Sequence, residues 1–405
     1  MSKALISEAQ LGRMSVLFRM GIFFSALLIL CNYYYFYFVP FEQGQVEAGP
    51  VYSITKLLGI LAISVIFLSS RIRASLEVEE VLLAAFLFAA LAVFLLKRLI
   101  VGGGDSMFIN TIACIAPFLI LKNNHNQRIT SIFFECCILI ILMQTVGDTI
   151  LYLNGASIWE NKAFIGGLGN PSSFGIVCNI LIAYTLFERR PTIMSTFSFF
   201  ILAFAIYMTS SLLSILMLFL IVAIWVLKRL SIKKLIALIA VCIAVVLMSD
   251  YLVSDHLLYK LQSAENILYN SNTGDSSRSV SFRQEIHQIY IKNFSENPVE
   301  GIAFGFFDDS YMKFDSQVLT YFSSFGILIS LLFFLSVTFT LLKAGLKNIV
   351  FPGVILLILS ITFLTNRIMD YYPIPIFLAL AFAMINIRAN ESEKTVHSDA
   401  NIALI

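Results

Sequence analysis

The most constraining feature of this sequence is a series of apolar stretches close to the length that crosses a lipid bilayer. A membrane-spanning helix needs about 20 apolar residues. We identify spans at 15–39, 54–70, 80–96, 105–121, 130–146, 171–187, 192–208, 211–227, 233–250, 316–342, 348–366 and 371–387. With 59% hydrophobic and 13% charged residues, the chain is far more apolar than a soluble domain. The sequence therefore predicts an all-α polytopic membrane protein with about 12 transmembrane helices.

The charge balance and the cysteines argue against several other classes of protein. The net charge is only +2, and the chain has no long basic run. We therefore expect no nucleic-acid partner. The six cysteines lie in apolar stretches, without the spacing of a disulfide framework or a metal site. We expect no metal and no other cofactor.

The distribution of cations predicts the orientation of the helices. If both termini are cytoplasmic, most of the 27 lysines and arginines fall on the cytoplasmic side, as the positive-inside rule requires. The Lys97–Arg98 pair is the exception to this rule. The prediction also depends on "MTSS" at 208–211, interpreted as a turn that divides one apolar run into two helices. A single helix there would invert the membrane orientation of every later span.

These spans divide the chain into four parts. The parts are an N-terminal transmembrane bundle of about nine helices at 1–250, one large periplasmic loop at 251–315, C-terminal transmembrane helices at 316–390 and a cytoplasmic tail at 391–405.

The large loop contains a segment, "SFRQEIHQIYIKNFSENPVEGIAFG" at 281–305, that resembles soluble protein. Ser281 and Gln284 match a capping box at the start of an amphipathic helix. The pair Asn297–Pro298 should end that helix, and the glycines that follow, Gly301 and Gly305, permit close turns.

Two charged residues of this loop suit chemistry on a phosphate-bearing lipid. Arg283 lies on one stripe of the predicted helix with His287 and Tyr290, and arginine makes bidentate contacts to phosphate. Asp315 precedes the tenth span, where a carboxylate is able to accept a proton from a hydroxyl. A solvated arginine and a helix-capping aspartate are the alternatives. For Arg367, near the outer end of a span, the alternative is snorkelling to the interface.

Three patterns occur in a definite order along the chain. The first is "FIGGLGNPSSFG" at 164–175, with Gly166, Asn170 and Pro171; the second is "MTSSLLSIL" at 208–216; the third comprises Arg283, Asn297, Pro298, Gly301, Gly305, Asp315, Ser316 and Gly326. Together they resemble the O-antigen polymerase and ligase family of bacterial surface polysaccharide assembly. The chain departs from that family in having Leu212 where the second pattern usually has an arginine, and Lys162 as the nearest cation before the first pattern.

The resemblance implies a GT-C-like glycosyltransferase of the bacterial inner membrane with a periplasmic active face. Its substrate would be an undecaprenyl diphosphate-linked oligosaccharide embedded in membrane lipid, and a chain-length regulator and a flippase are the implied partners. Family ligases usually have histidine where this chain has Asp315. We therefore expect a polymerase, which transfers the growing glycan to the non-reducing end of a new lipid-linked repeat in O-antigen or capsule synthesis. The alternatives are a ligase that transfers polymer to lipid A-core and a polysaccharide or lipid transporter.

The family pattern also suggests roles for individual residues. Arg283 would hold the donor diphosphate and Asp315 would orient or deprotonate the acceptor hydroxyl, so these two are the expected catalytic residues. The expected substrate-binding residues are Arg278, Lys162, Asn170, His287, Tyr290, Gly301, Gly305 and Arg367.

Overall fold

The computed structural model describes residues 16–31, 50–68, 76–102, 106–119, 125–155, 159, 163–228, 278–307, 316–370 and 373–402. Within these ranges all regular elements are helical. The helices are α1 (Val16–Leu30), α2 (Pro50–Leu68), α3 (Val78–Val101), α4 (Ser106–Leu119), α5 (His125–Leu153), α6 (Pro171–Phe187), α7 (Ile193–Met208), α8 (Leu212–Lys228), α9 (Arg278–Glu296), α10 (Pro298–Ala303), α11 (Gln317–Phe325), α12 (Ile327–Leu346), α13 (Val350–Thr362) and α14 (Pro373–Ile402), with 3-10 turns at Gly166–Leu168 and Ile368–Asp370.

The length and the surface of these helices fit a membrane protein. In the part of the chain described, Val78–Ile100, Arg128–Leu153 and Ile327–Leu346 are long and apolar enough to cross a bilayer, and shorter apolar helices accompany them. Large apolar side chains face outward, as a lipid environment allows; Phe88 is 75% exposed. The helical membrane fold agrees with the sequence. The count of twelve spans stays a prediction, and the span expected at 233–250 lies outside the described residues.

Two predictions about breaks within apolar runs have opposite outcomes. The turn at "MTSS" is confirmed, because α7 ends at Met208 and α8 begins at Leu212. The single helix predicted over 316–342 is wrong, because Gly326 separates α11 from α12. The last helix also continues to Ile402, past its predicted end at 387 and through the boundary predicted at 390.

The helix of the large loop begins earlier than its capping signal suggests. Helix α9 starts at Arg278, so Ser281 lies inside it and the predicted capping box is wrong. Asn297 ends α9 as expected, but Pro298 then occupies the first position of α10, where proline's missing N–H costs nothing. Gly301 therefore lies within a helix rather than in a turn. Its role is close packing, since a Cβ there would lie 2.7 Å from the Phe294 ring.

Buried aromatic rings fill the centre of the bundle. Phe86 of α3 lies 5.3 Å from Tyr321 of α11 and 5.2 Å from Phe333 of α12, between ring centroids. A second group joins α5 to α13, where Phe134 lies 5.3 Å from Phe351. All five rings are almost fully buried. Such aromatic pairs add about 1 kcal/mol each beyond the area they bury.

One end of the bundle contains buried charged side chains with defined partners. Lys343 of α12 forms ion pairs with Glu77 and with Glu79, the latter at 2.7 Å. The same ammonium donates to the side-chain oxygen of Asn386 at 2.9 Å, and the Asn386 amide donates to Glu80 at 2.6 Å. This network joins the start of α3, the end of α12 and the middle of α14.

Further ion pairs lie at the same end. Arg388, two residues after Asn386, contacts Glu188 at 2.7 Å. The neighbouring Arg189 contacts Glu135 of α5 at 3.0 Å. We call this end, defined by Glu79, Lys343, Glu188 and Arg388, the ion-pair end.

At the opposite end of α12, two short stretches of backbone pack directly against each other. A Cβ on Gly326 would lie 2.7 Å from both the carbonyl carbon of Ala303 and the nitrogen of Phe304. A Cβ on Gly305 would overlap the carbonyl oxygen of Ser323. The Phe306 N–H donates to that same oxygen at 2.7 Å. We call this packing of 302–306 on 323–326 the glycine contact.

A substitution at Gly326 tests the glycine contact. The residue has φ +80° and ψ 162°, a backbone conformation that residues other than glycine rarely adopt. We expect Gly326→Ala to lower the free energy of unfolding by roughly 3 kcal/mol, measured by thermal unfolding of the purified protein in detergent.

The matched control is Gly345→Ala in the same helix, α12. A Cβ at Gly345 meets nothing within 4 Å, and alanine is the better helix former. Stability should be unchanged or raised. Equal midpoints for the two variants would contradict the assignment.

Candidate functional site

The described glycines of the third sequence pattern, Gly301, Gly305 and Gly326, lie at the end of the bundle remote from the ion pairs. Glu79, in the first turn of α3, forms an ion pair with Lys343. Along the axis of α3, Lys97 lies about 27 Å from Glu79. The Lys97 ammonium is bonded to Phe306 and Ser324, which belong to the glycine contact. We call this end of the bundle the glycine end.

Lys97 is a buried cation with backbone partners. Lys97 is only 8% exposed. The ammonium donates to the Phe306 carbonyl at 2.7 Å and to the Ser324 carbonyl at 2.6 Å, and it lies 5.7 Å from the centroid of the Phe307 ring. Lys97 thus joins α3 to both backbone segments that form the glycine contact.

The loop helix α9 packs on the glycine contact through aromatic rings. The Tyr290 ring lies 6.0 Å from that of Phe306 and 6.2 Å from that of Phe294. Phe294 in turn covers Gly301. The structure therefore brings three predicted site residues, Tyr290, Gly301 and Gly305, into one cluster. Burial raises the pKa of the Tyr290 phenol.

The chain that follows Asp315 is bonded to the segment that contains Arg367. Ser316 donates its hydroxyl to the Phe363 carbonyl at 3.3 Å, and the Gln317 N–H donates to the carbonyls of Phe363 and Asn366. The Gln317 side-chain oxygen accepts from the Met369 N–H at 2.9 Å. Arg367, half-buried, lies within this bonded segment.

The two expected catalytic residues are placed to different extents. The backbone of Arg283 lies in α9, two turns and about 10 Å before Tyr290. Asp315 and Lys162 lie outside the described residues, as do the side chains of Arg278 and Arg283. His287 is exposed on α9. Their roles stay predictions.

A second polar cluster at this end surrounds the first sequence pattern. The Asp148 side chain of α5 is 5% exposed and accepts from the N–H groups of Ile165 and Gly166 at 3.1 and 2.8 Å, both through the same oxygen. Beside it, Gln144 donates to the Leu30 carbonyl at 2.9 Å. The carboxylate thus determines how the chain enters the glycine-rich segment before α6.

The first and second sequence patterns meet in the structure. The Phe164 N–H donates to the Met208 carbonyl at 3.0 Å, and a Cβ on Gly175 would overlap the Ser214 hydroxyl. Asn170 accepts from the N–H groups of Ser172 and Ser173, so it caps α6. The contacts of Asn170 are therefore those of a structural residue.

Sequence reasoning missed Lys97 and Asp148 as organising residues. The signal was present in both cases, since each is an ionisable residue within an apolar stretch. Such residues are expensive in a membrane unless they have partners. In the sequence, Lys97 appeared only as one of the pair that departs from the positive-inside rule.

A model of a known protein family matches the middle of the chain. Residues 197–334 match the family model described as O-antigen ligase. The match supports the O-antigen ligase and polymerase family. The matched segment, about a third of the chain, extends from α7 to α12 and contains the "MTSS" turn, α9 and the glycine contact. Members of this family are glycosyltransferase-like enzymes, and with the apolar helices the match indicates a membrane protein. No curated protein matches the chain.

The described side chains at the glycine end suit binding and positioning. Among the described residues, no group of three or more His, Cys, Asp or Glu side chains has the arrangement of a metal site. The glycine end instead presents backbone carbonyls held by Lys97, a phenol and the helix that carries Arg283. It is the candidate active site.

Two substitutions at Asp148 should differ in effect. Asparagine preserves an oxygen acceptor for the two N–H groups but loses the charge; leucine leaves both donors without that acceptor. We expect Asp148→Asn to cost about 1 kcal/mol and Asp148→Leu roughly 3–5 kcal/mol of stability, measured by thermal unfolding. The control is Met143→Leu on the same helix, 63% exposed, which should change little. Equal losses for Asn and Leu would show that the acceptor does not matter.

Proposed function

We propose that this protein is a polymerase of lipid-linked oligosaccharide repeats. It transfers the growing glycan from undecaprenyl diphosphate to the non-reducing end of a new lipid-linked repeat. The observation that carries the proposal is the glycine contact within the family-matched segment. The contact packs the chain that follows the helix of Arg283 against the bundle. Further along the chain, Ser316 and Gln317 are hydrogen-bonded to the Phe363 carbonyl.

The orientation follows from the charges at the two ends. Lys343, Arg189 and Arg388 lie at the ion-pair end, and the positive-inside rule assigns such an end to the cytoplasm. The glycine end then faces the periplasm, in the inner membrane. This is the side on which a flipped lipid-linked repeat is available.

The transfer is a substitution at the anomeric carbon of the donor glycan. The acceptor hydroxyl oxygen forms a bond to that carbon while the bond to the diphosphate oxygen breaks. Asp315 accepts the hydroxyl proton, and Arg283 stabilises the negative charge that develops on the diphosphate. The diphosphate is already a good leaving group, so positioning and electrostatics supply most of the catalysis.

A ligase is the second candidate, because the matching family model is described as O-antigen ligase. It would use the same donor but transfer the finished polymer to lipid A-core. The presence of Asp315, where family ligases usually have histidine, favours the polymerase.

Deletion of the gene distinguishes the two candidates. For a polymerase, we expect the gel profile of surface polysaccharide to collapse to core with a single repeat, while the single lipid-linked repeat accumulates. For a ligase, long polymer would persist on the carrier lipid without reaching its acceptor. That second result would refute the proposal.

A conservative substitution tests the role of Arg283. Lysine keeps the charge but cannot make two parallel hydrogen bonds to phosphate. We expect Arg283→Lys to reduce polymer synthesis by about 10- to 100-fold at equal expression, the value of one charge-assisted contact. The reverse substitution on the same helix, Lys292→Arg, is the control, since that side chain is 74% exposed. An undiminished amount of full-length polymer from the Arg283→Lys variant would exclude the bidentate role.

A further inference from the structure

Lys97 is a cation buried where apolar rings surround it. It lies just before the last turn of α3, beside Arg98, and of these two cations only Lys97 is buried. An apolar side chain would suit the surrounding rings better, because burying an ammonium is costly without compensating hydrogen bonds. Here the carbonyls of Phe306 and Ser324 accept hydrogen bonds from the ammonium and compensate for its burial.

These carbonyls belong to segments that are adjacent in space but separated by most of α11 and the chain before it. Phe306 lies three residues after the end of α10, and Ser324 lies two residues before the break at Gly326. The two segments are also bonded directly, from the Phe306 N–H to the Ser323 carbonyl. Lys97 therefore bonds to both sides of the glycine contact and connects it to a bundle helix.

The segment 308–315 begins directly after the residues that Lys97 holds. Its start follows Phe306 and Phe307, which Lys97 contacts. Its end precedes Ser316 and Gln317, which are bonded to Phe363. Tyr290 also packs on Phe306 and connects it to the helix of Arg283. A shift of Phe306 would thus disturb the contact through which Tyr290 holds that helix.

We propose that Lys97 is a positioning residue for glycan transfer, which acts by holding the Phe306 and Ser324 carbonyls so that the helix of Arg283 packs in a defined place. The kinetic part rests on the proposed polymerase function. The structural part, that Lys97 stabilises the glycine contact, does not.

The kinetic test uses the full-length protein in lipid nanodiscs with a purified lipid-linked repeat. We expect Lys97→Met to lower kcat about 10- to 100-fold, the cost of a misplacement near 1 Å, with KM within about twofold. Lys97→Arg should recover much of the loss, because arginine also donates to two carbonyls. The control Arg98→Met removes the same charge from the exposed neighbour and should leave kcat and KM unchanged. Normal kcat in Lys97→Met, or no recovery with Lys97→Arg, would overturn the proposal.

Hydrogen exchange provides a readout independent of activity. In Lys97→Met, peptides covering 304–307 and 321–326 should exchange faster than in the unmodified protein, whereas peptides from α13 should not change. Unchanged exchange, or equal acceleration in α13, would show that Lys97 does not act on the glycine contact. Failure of the unmodified protein to extend the repeat would instead refute the polymerase function and leave the exchange result valid.

Discussion

The architecture of the glycine end depends on a close approach of two backbone segments. At Gly305 and Gly326, carbonyl and amide groups occupy the space that a Cβ would need. This packing explains why the apolar run after Ser316 forms two helices rather than one. It also brings the polar loop helix α9 back to the bundle, where Lys97 bonds to both segments. The requirement at these positions is for the absence of a side chain, which no other residue type meets.

Buried polar groups lie at both ends of the bundle, with aromatic rings between them. In a bilayer, a polar group without a partner costs several kcal/mol. Each buried charge described above has partners: carboxylates and an amide for Lys343, backbone N–H groups for Asp148 and backbone carbonyls for Lys97. The partners differ in kind between the ends. Side chains pair with side chains at the ion-pair end, whereas side chains hold backbone in place at the glycine end.

Several residues of the family pattern have contacts that shape the protein rather than contacts suited to a substrate. Asn170 caps α6, Gly301 accommodates the Phe294 ring, and Gly305 forms the glycine contact. Such residues specify the shape of the surface on which the chemistry occurs. In the proposed polymerase, binding and proton transfer would then be the work of the charged residues Arg283 and Asp315, which suits a leaving group that is already activated.

The sequence alone determined the helical membrane fold, the turn at "MTSS", the end of the loop helix at Asn297 and the order of the family patterns, because these depend on local hydrophobicity and on proline and glycine geometry. It did not predict the break at Gly326, the start of α9 at Arg278, or the roles of Lys97 and Asp148. Glycine is common inside membrane helices, so Gly326 alone does not signal a break. Only the tertiary structure decided the break at Gly326 and the roles of Lys97 and Asp148, because each depends on a backbone partner distant in sequence: Ala303 for Gly326, Phe306 for Lys97 and Ile165 for Asp148.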